Sequence, residues 1–467
     1  MTDKELFDSL SYERKNAYLE MKDEEKNEMQ LLCEDYRKFL DNGKTERECV
    51  KEAIKYAEKS GFVPLESVKK LKAGDKVYKI NRNKNIFMAV IGSDDIRNGI
   101  NIAGAHIDSP RLDLKQNPLY ESTDMALLKT HYYGGIKKYQ WMTIPLAIHG
   151  VIYNADGEKT EICIGEKEDE PVFVITDLLP HLAKDQMAKK MTEGIEAENM
   201  NILIGGMPTE SEDIKEKVKF TVLKLLNERY NITEKSFISA EIEIVPAQKA
   251  RNVGLDESFV GAYGQDDRVC AYTTLRGIID APLPKRTAVA ILVDKEEIGS
   301  MGNTGAKSAF MTMAIAEIIE KVTGNCSVTD FNKVIENSAC MSSDVSAAVD
   351  PNYLNVSEAK NSAYAGYGVT IVKYTGARGK YDSSDANAEF VYEMGKIMDE
   401  NGVIWQTGEL GKVDQGGGGT IAQYVANLNM DVIDCGVPVL SMHAPFEVVA
   451  KSDIYMAYKA YKAFYTR

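Results

Sequence analysis

Acidic residues and histidines that could bind a metal follow several short apolar stretches of this chain. The stretches are "NIAGAHIDSP", "FVGAYGQDDRVC", "AILVDKEEIGS", "ACMSSDVSAA" and "PVLSMHAPFE", which supply His106, Asp108, Asp266, Asp267, Glu296, Glu297, Asp344 and His443. In an open α/β sheet the carboxyl ends of the strands converge on one crevice, where ligands bind. We therefore expect these residues, although far apart in sequence, to lie around one cavity.

Imidazole nitrogens and carboxylate oxygens together form a donor set that suits Zn²⁺, Mn²⁺ or Co²⁺. Two histidines and three or four carboxylates suffice for two ions that share one bridging carboxylate. Such a pair can polarise a substrate carbonyl and lower the pKa of a water molecule. Because successive side chains point in different directions, one of Glu296 and Glu297 could bind metal while the other accepts a proton. Asp108 could accept a hydrogen bond from His106 and so fix the tautomer of its ring.

Each of these residues also has a plain structural explanation when it is considered alone. Asp266 and Asp267 could begin a helix, where acids interact favourably with the helix dipole. Asp344 could be a helix N-cap, the Glu296–Glu297 pair could face solvent, and His443 could be a buried structural histidine. Their common position after predicted strands favours the metal site.

Two glycine-containing segments call for separate interpretations. "GNTGAKS" does not have the GxxxxGK[ST] spacing of a phosphate-binding loop. "DQGGGGT", residues 414–420, is expected to be too flexible for a strand and to let the backbone approach a ligand or another chain. It predicts Gly418 and Thr420 as substrate-binding residues, with an ordinary turn as the alternative.

The composition is that of a globular protein without a nucleic-acid or membrane partner. The chain has 467 residues, 44% of them hydrophobic, and a net charge of −15, which repels nucleic acids and anionic membranes. Its start does not resemble a secretory signal, and no apolar run approaches the roughly 20 residues that span a bilayer. Seven scattered cysteines without a CxxC pair favour reduced thiols and a cytoplasmic location.

The order of the predicted elements indicates an α/β protein with an insertion. The first sixty residues have the apolar spacing of helices, and residues 115–245 contain mostly strand-like segments. After about residue 250, strands and helices alternate, which is typical of a three-layer α/β domain. We therefore predict a discontinuous α/β domain, residues 1–114 and 246–467, interrupted by a β-rich insertion, residues 115–245.

Five segments in this order resemble one known family along nearly the whole chain. The segments are "AHIDSPRLDLK", "GAYGQDDRVCAY", "DKEEIGSMGNTGA", "SSDVSAA" and "LSMHAP". Together they are similar to the aspartyl aminopeptidase / aminopeptidase I family of dinuclear metallo-aminopeptidases. The resemblance implies an α/β catalytic domain with an inserted dimerisation domain. It also implies peptide substrates with a free N-terminus and dimers assembled into a tetrahedral dodecamer with an internal chamber.

The resemblance also implies roles for individual residues. One ion would be held by His106, Asp266 and Asp344. A second ion would be held by Asp266, Glu297 and His443, so that Asp266 is the bridge. Glu296 would be the general base, and Asp108 would orient His106.

Two further positions match the family in single segments. His181 in "LLPHLA" resembles a histidine that reaches the active site of a neighbouring subunit, where it could stabilise an oxyanion. Lys373 in "VTIVKYTGARGKY" resembles a lysine that contacts an acidic substrate side chain. The alternatives are a surface-loop histidine and an ordinary lysine at the end of a strand.

The resulting hypothesis is an aminopeptidase that uses two divalent ions, foremost Zn²⁺, with Mn²⁺ or Co²⁺ as alternatives. Three other functions remain open: a related dinuclear hydrolase of another amide, such as a deacylase or carboxypeptidase; a two-metal phosphoesterase; and a non-catalytic shell-forming protein with a decayed site. The absence of a basic phosphate-binding cluster disfavours the phosphoesterase. The sequence leaves the preferred N-terminal residue open between Asp or Glu and other side chains.

Overall fold

The structure, a computed structural model, describes residues 1–467. The α-helices are α1 (Asp3–Leu10), α2 (Ala17–Glu20), α3 (Asp23–Asn42), α4 (Glu46–Lys59), α5 (Lys184–Met187), α6 (Met191–Gly194), α7 (Lys217–Tyr230), α8 (Gln265–Asp280), α9 (Phe310–Thr323), α10 (Val328–Glu336), α11 (Ala388–Glu400), α12 (Ala422–Ala426) and α13 (Lys451–Tyr465). The strands are β1 (Val63–Pro64), β2 (Lys76–Asn81), β3 (Asn85–Val90), β4 (Ile100–His106), β5 (Arg111–Ser122), β6 (Met125–Tyr133), β7 (Leu146–Tyr153), β8 (Lys159–Ile164), β9 (Ile202–Gly205), β10 (Glu241–Pro246), β11 (Arg251–Val253), β12 (Phe259–Ala262), β13 (Thr287–Val293), β14 (Ala339–Ser342), β15 (Ser346–Ala347), β16 (Val369–Val372), β17 (Gly376–Ala377), β18 (Trp405–Thr407), β19 (Gly417–Gly418), β20 (Asp431–Gly436), β21 (Pro438–Leu440) and β22 (Glu447–Ala450).

A nine-stranded sheet, in the order β1-β2-β3-β13-β4-β14-β20-β16-β18, forms the middle layer. Strand β4 runs parallel to both β13 and β14 at its centre. Alternate residues of β13 enter two separate cores: Ala290 packs with α8 and α13, whereas Ile291 packs with α9 and α12. Because helices cover both faces, the central strands are continuously apolar, and the predicted three-layer α/β class is confirmed.

A second sheet forms from the segment between β4 and β12. Its six strands pair antiparallel in the order β8-β7-β10-β5-β6-β9, and α7 packs on it around a core of its own. The sheet extends from Arg111 to Pro246, close to the predicted insertion, residues 115–245. The division into domains at those bounds stays a prediction.

A five-stranded sheet, β11-β12-β22-β21-β15, was not anticipated from the sequence. Strand β12 leads into α8, and the loop between β21 and β22 carries His443. This small sheet therefore brings Asp266, in the first turn of α8, and His443 to the same edge of the central sheet.

Two local predictions were wrong. The apolar run in "NKVIENSACMSSD" predicts a strand, but its "NKVIE" part belongs to α10, which packs one face, including Val334 and Ile335, into the core. The glycine run 414–420, expected to be too flexible for a strand, forms the short strand β19 through pairing with β17. No helix of the structure combines the length and the apolar character that a membrane crossing requires.

Candidate metal centre

The predicted ligands lie at the carboxyl ends of the central strands. His106 is the last residue of β4, the Glu296–Glu297 pair follows β13 in a short 3-10 turn, and Asp344 follows β14. Because β13, β4 and β14 are neighbouring parallel strands, their ends lie side by side. Asp266 and His443 reach the same place from the small sheet, so the structure brings all of these residues together.

Asp266 lies between the two histidines and directs one carboxylate oxygen toward each. Its Oδ1 is 3.1 Å from His106 Nε2, and its Oδ2 is 3.1 Å from His443 Nε2. On the His106 side, Asp344 Oδ1 lies 3.8 Å and Glu296 Oε2 4.0 Å from Nε2. On the His443 side, Glu297 Oε2 lies 3.5 Å from Nε2. Asp266 thus has the position of a carboxylate that could bridge two ions.

The donor set fits divalent transition metals. In two groups, His106–Asp266–Glu297 and His106–Glu296–Asp344, the ligand atoms lie within 4.8 Å of one another. Glu297 Oε1 is buried without a hydrogen-bond partner, as expected of an atom that binds a cation. Buried carboxylates without a lysine or arginine partner are costly unless a metal compensates them.

The electrostatics of the cluster show an excess of negative charge. Burial, together with the neighbouring carboxylates of Asp266 and Asp108, raises the pKa of Glu296 to about 7. Burial and a neighbouring acid likewise raise the pKa values of Glu297 and Asp344 well above the ordinary range. Burial opposes ionisation of Asp266 too, but hydrogen bonds with His106 and His443 outweigh it and lower its pKa. Bound cations would relieve this repulsion between acids.

Asp108 holds both the histidine and the glutamate pair in place. His106 Nδ1 lies 3.0 Å from the carbonyl oxygen and 3.3 Å from Oδ1 of Asp108. The two carboxylate oxygens also accept hydrogen bonds from the backbone N–H groups of Glu296 (3.1 Å) and Glu297 (3.2 Å). The Tyr133 hydroxyl donates a further bond of 2.8 Å. The sequence suggested only the contact with His106.

Glu447 was missed in the sequence, although it links the two elements that carry Asp266 and His443. Its carboxylate accepts hydrogen bonds from the backbone N–H groups of His443 (2.7 Å) and Asp266 (3.0 Å). Burial raises its pKa to about 8. The available signal was its position four residues after His443, in the same "HAPFE" segment.

A cavity of about 380 Å³ opens beside the cluster. Its wall includes the glycine run with Gly418 and Thr420, whose substrate-binding role stays a prediction. Three basic residues that the sequence did not point to, Arg378, Lys380 and Lys412, also line the cavity. The Lys380 ammonium lies over the Tyr374 ring, 3.8 Å from its centre. The cavity therefore combines a cluster of acidic side chains with a basic wall.

Two residues predicted to contact the substrate do not line this cavity. Lys373, at the end of β16, pairs with Asp385 at 2.5 Å and is not part of the cavity wall. His181 is exposed in a turn of the insertion and does not line the cavity of its own chain either. Since the role suggested for His181 concerns the cavity of a neighbouring subunit, it stays a prediction.

Comparisons with known proteins agree with this geometry. The family model described as "Aminopeptidase I zinc metalloprotease (M18)" matches residues 39–465. A probable M18 family aminopeptidase 1 from Clostridium acetobutylicum is 52% identical over 456 residues, covering 97% of this chain and 98% of the relative. One from Thermotoga maritima is 50% identical and covers 97% of this chain and 99% of the relative.

Solved structures give the same result. The crystal structure of an M18 family aminopeptidase from Thermotoga maritima has a TM-score of 0.94 at 49% identity, covering 97% of this chain and 99% of that one. A solved structure of the S. cerevisiae mApe1 dodecamer, at 19% identity and a TM-score of 0.75, covers 94% of this chain and 97% of that one and shows the shared fold alone. The match to the family model and the identity along nearly the whole chain show that this chain belongs to the M18 family of zinc metalloproteases and is an aminopeptidase.

Proposed function

We propose that the protein removes the N-terminal residue from peptides with two divalent cations, foremost Zn²⁺, held around Asp266. The supporting observation is that Asp266 directs one oxygen toward each histidine at the same distance. His106 and Asp344 would complete one site, and Glu297 and His443 the other. When bound, such ions polarise the scissile carbonyl and lower the pKa of a water molecule.

Glu296 is the general base in this proposal. Its backbone is anchored by Asp108, its carboxylate lines the cavity, and its side-chain oxygens accept no hydrogen bond from the protein. It is therefore free to take a proton from the attacking water and to return that proton to the leaving amine. Gly418 and Thr420 would bind the peptide backbone along the cavity wall.

The basic residues near the cavity support a proposed preference for substrates with an acidic N-terminal residue. Lys373, suggested by the family resemblance, shares the carboxylate of Asp385 with the cavity-lining Lys380. An acidic substrate side chain could replace Asp385 as a partner of either ammonium. The variants Lys373→Met and Lys380→Met show which lysine contacts the substrate. Both are assayed with Asp, Glu and Leu chromogenic derivatives, and loss of the contacting lysine should remove a preference for Asp and Glu.

The proposed activity is tested with chromogenic aminoacyl substrates after chelation and reloading with Zn²⁺, Mn²⁺ or Co²⁺. Activity should disappear on chelation and return with metal, and amino-terminally acetylated derivatives should not be cleaved. Equal hydrolysis of the acetylated derivatives would instead identify a deacylase or another amidohydrolase. Absence of bound metal in the purified protein would support a non-catalytic shell-forming role.

We also propose that the insertion, residues 115–245, forms dimers that assemble into a tetrahedral dodecamer in the cytoplasm. The segment around His181 exposes Leu178, Leu179 and Leu182, which are 53%, 51% and 69% accessible in the single chain. Clustered exposed leucines favour burial against another subunit, and that burial would bring His181 into a neighbouring cavity. Analytical ultracentrifugation of the Leu182→Glu variant tests this: smaller assemblies with lower kcat are expected, and an unchanged mass would contradict the proposed interface.

A further inference from the structure

A second group of metal-binding residue types lies where the insertion sheet meets the α/β domain. The candidate ligands are Glu48, His149 and Cys163. Together with Glu166 and the two lysines that pair with it, Lys44 and Lys249, we call them the boundary cluster. His149 on β7 and Cys163 on β8 are directly opposed in the antiparallel register, so their side chains share one face of the sheet. Glu48, on α4 of the α/β domain, reaches the same face.

The geometry around His149 is that of a metal-bound imidazole and its supporting carboxylate. A ring nitrogen of His149, a carboxylate oxygen of Glu48 and Cys163 Sγ lie within 4.8 Å of one another. Glu48 Oε1 is 2.8 Å from His149 Nδ1, while Glu48 Oε2 accepts the Thr45 backbone N–H at 3.1 Å. On the other side of the ring, Nε2 lies 3.0 Å from Glu166 Oε1. Metal-bound histidines commonly donate their second N–H to a carboxylate in this way.

Glu166 is itself firmly held. Its Oε1 pairs with the buried ammonium of Lys44 at 2.7 Å, and its Oε2 pairs with Lys249 at 2.5 Å. These two lysines keep Glu166 ionised and fix its position beside Nε2, so that the Nδ1 edge of His149 is directed toward Glu48. The ring orientation is therefore set before any ion binds.

We propose that the boundary cluster is a structural transition-metal site, with Glu48, His149 and Cys163 as its protein ligands. Their oxygen, nitrogen and sulfur atoms suit Zn²⁺ or Co²⁺ in tetrahedral coordination. Ligand atoms in such a site lie about 3.3–3.8 Å apart, which small side-chain rotations of these residues would reach. Since Cys163 is exposed, water can occupy the fourth position.

The charge of the cluster is compatible with a divalent ion. Binding displaces one proton from the protonated imidazole and one from the thiol, so two positive charges enter and two leave. The net charge of the cluster does not change, and the two lysines remain paired with Glu166. The bound ion would join α4 of the α/β domain to β7 and β8 of the insertion, at residues that do not line the catalytic cavity.

Cobalt exchange tests the site independently of catalysis, because the Asp266 cluster contains no cysteine. Full-length protein exchanged from zinc into Co²⁺ should develop the thiolate-to-cobalt charge-transfer absorption of the near ultraviolet, with the intensity of one thiolate-bound cobalt per chain. Cys163→Ser should remove that absorption. Cys326→Ser should keep it, since Cys326 is the other thiol that is not fully buried. His149→Gln should also remove the band, with circular dichroism verifying its fold.

Thiol alkylation supplies a second readout. In the Cys326→Ser background, Zn²⁺ should slow the reaction of Cys163 with iodoacetamide at least tenfold, and Glu48→Gln should reduce this protection. Because Cys163 is exposed, its serine variant is expected to fold normally. Wild-type and Cys163→Ser proteins with identical cobalt spectra, or alkylation unaffected by Zn²⁺, would overturn the proposal and leave His149 as a protonated link between two glutamates.

Discussion

The Asp266 cluster and the boundary cluster both place a histidine between carboxylates, yet they balance charge differently. In the Asp266 cluster the acids pair only with His106 and His443, and Glu297 keeps a buried oxygen without a hydrogen-bond partner. In the boundary cluster Lys44 and Lys249 both pair with Glu166. The first cluster borders an open cavity, whereas the second lies between α4 and the sheet of the insertion.

This difference shows that a histidine–carboxylate contact does not by itself define a catalytic metal centre. A catalytic site requires negative charge that the protein leaves uncompensated, next to space for a substrate. Where lysines already balance the charge of the carboxylates, a metal ion can bind only by displacing protons from its ligands. The role of such an ion is structural. Three substitutions test this distinction, and a fourth tests a buried acid outside both clusters.

The largest effect is expected for Glu296→Gln. The amide keeps the size of the side chain but cannot accept the proton of the attacking water, so kcat should fall by about 10²–10⁴-fold. Zinc content, measured by elemental analysis, should stay near that of the wild type. The same change in the other cluster, Glu48→Gln, should leave kcat nearly unchanged. Near-wild-type turnover of the Glu296 variant would exclude this residue as the base.

Asp108→Asn is expected to have the next largest effect. One carboxylate oxygen becomes an N–H donor, so one of the backbone N–H groups of Glu296 and Glu297 loses its acceptor. Loss of such a supporting residue typically costs about 10–100-fold in metal affinity or activity. Competition with a zinc chelator and kcat/KM measure the two effects. Tyr133→Phe, which removes a single bond to the same carboxylate, is the matched control and should change both less.

Lys44→Met tests compensation in the boundary cluster. Lys44 is buried, bonds the carbonyl oxygens of Pro246 and Gln248, and pairs with Glu166, so its loss leaves a buried carboxylate with weaker compensation. Removing one partner of a buried pair destabilises by about 3–5 kcal/mol, measurable by urea unfolding. Lys249→Met removes a half-exposed partner of the same Glu166 and should cost only about 0–1 kcal/mol. Equal losses would show that burial does not distinguish the two lysines.

The smallest effect concerns Asp453, a buried acid that belongs to neither cluster. It accepts the backbone N–H groups of Gly366 (2.7 Å) and Gly368 (2.8 Å), while burial raises its pKa from 3.8 to about 7. Because the folded state then binds its proton more tightly than the unfolded chain, its contribution to stability is greatest below pH 3.8 and is lost as the pH rises through about 7. The free energy of unfolding of the wild type minus that of Asp453→Asn, whose side chain does not titrate, should therefore fall as the pH rises from about 4 to about 7. A value that stays constant or rises over this range would contradict the raised pKa.

Apolar periodicity was a reliable guide wherever packing follows a simple pattern. The apolar run Thr287–Val293 predicted a buried strand correctly, because both faces of that strand are covered in the structure. The apolar spacing of residues 1–60 predicted helices correctly, because one face of each helix is apolar. It failed for the "NKVIE" segment, where a short apolar run fits a helix as well as a strand. The prediction for residues 414–420 rested on the flexibility of glycine and was also wrong. Pairing with β17 orders a backbone that is flexible in isolation.

The sequence by itself determined which chemical groups were available and where they stood relative to strand ends: two histidines and a set of acids, each following an apolar run. That follows because residue type and local hydrophobic pattern are properties of short segments. Only the tertiary structure decided that Asp266 faces both histidines, that Asp108 supports the glutamate pair, that Glu447 joins two elements, and that Lys373 binds Asp385 outside the cavity. Those contacts connect side chains from separate strands and sheets, and only the packing of the whole chain brings them within hydrogen-bonding distance.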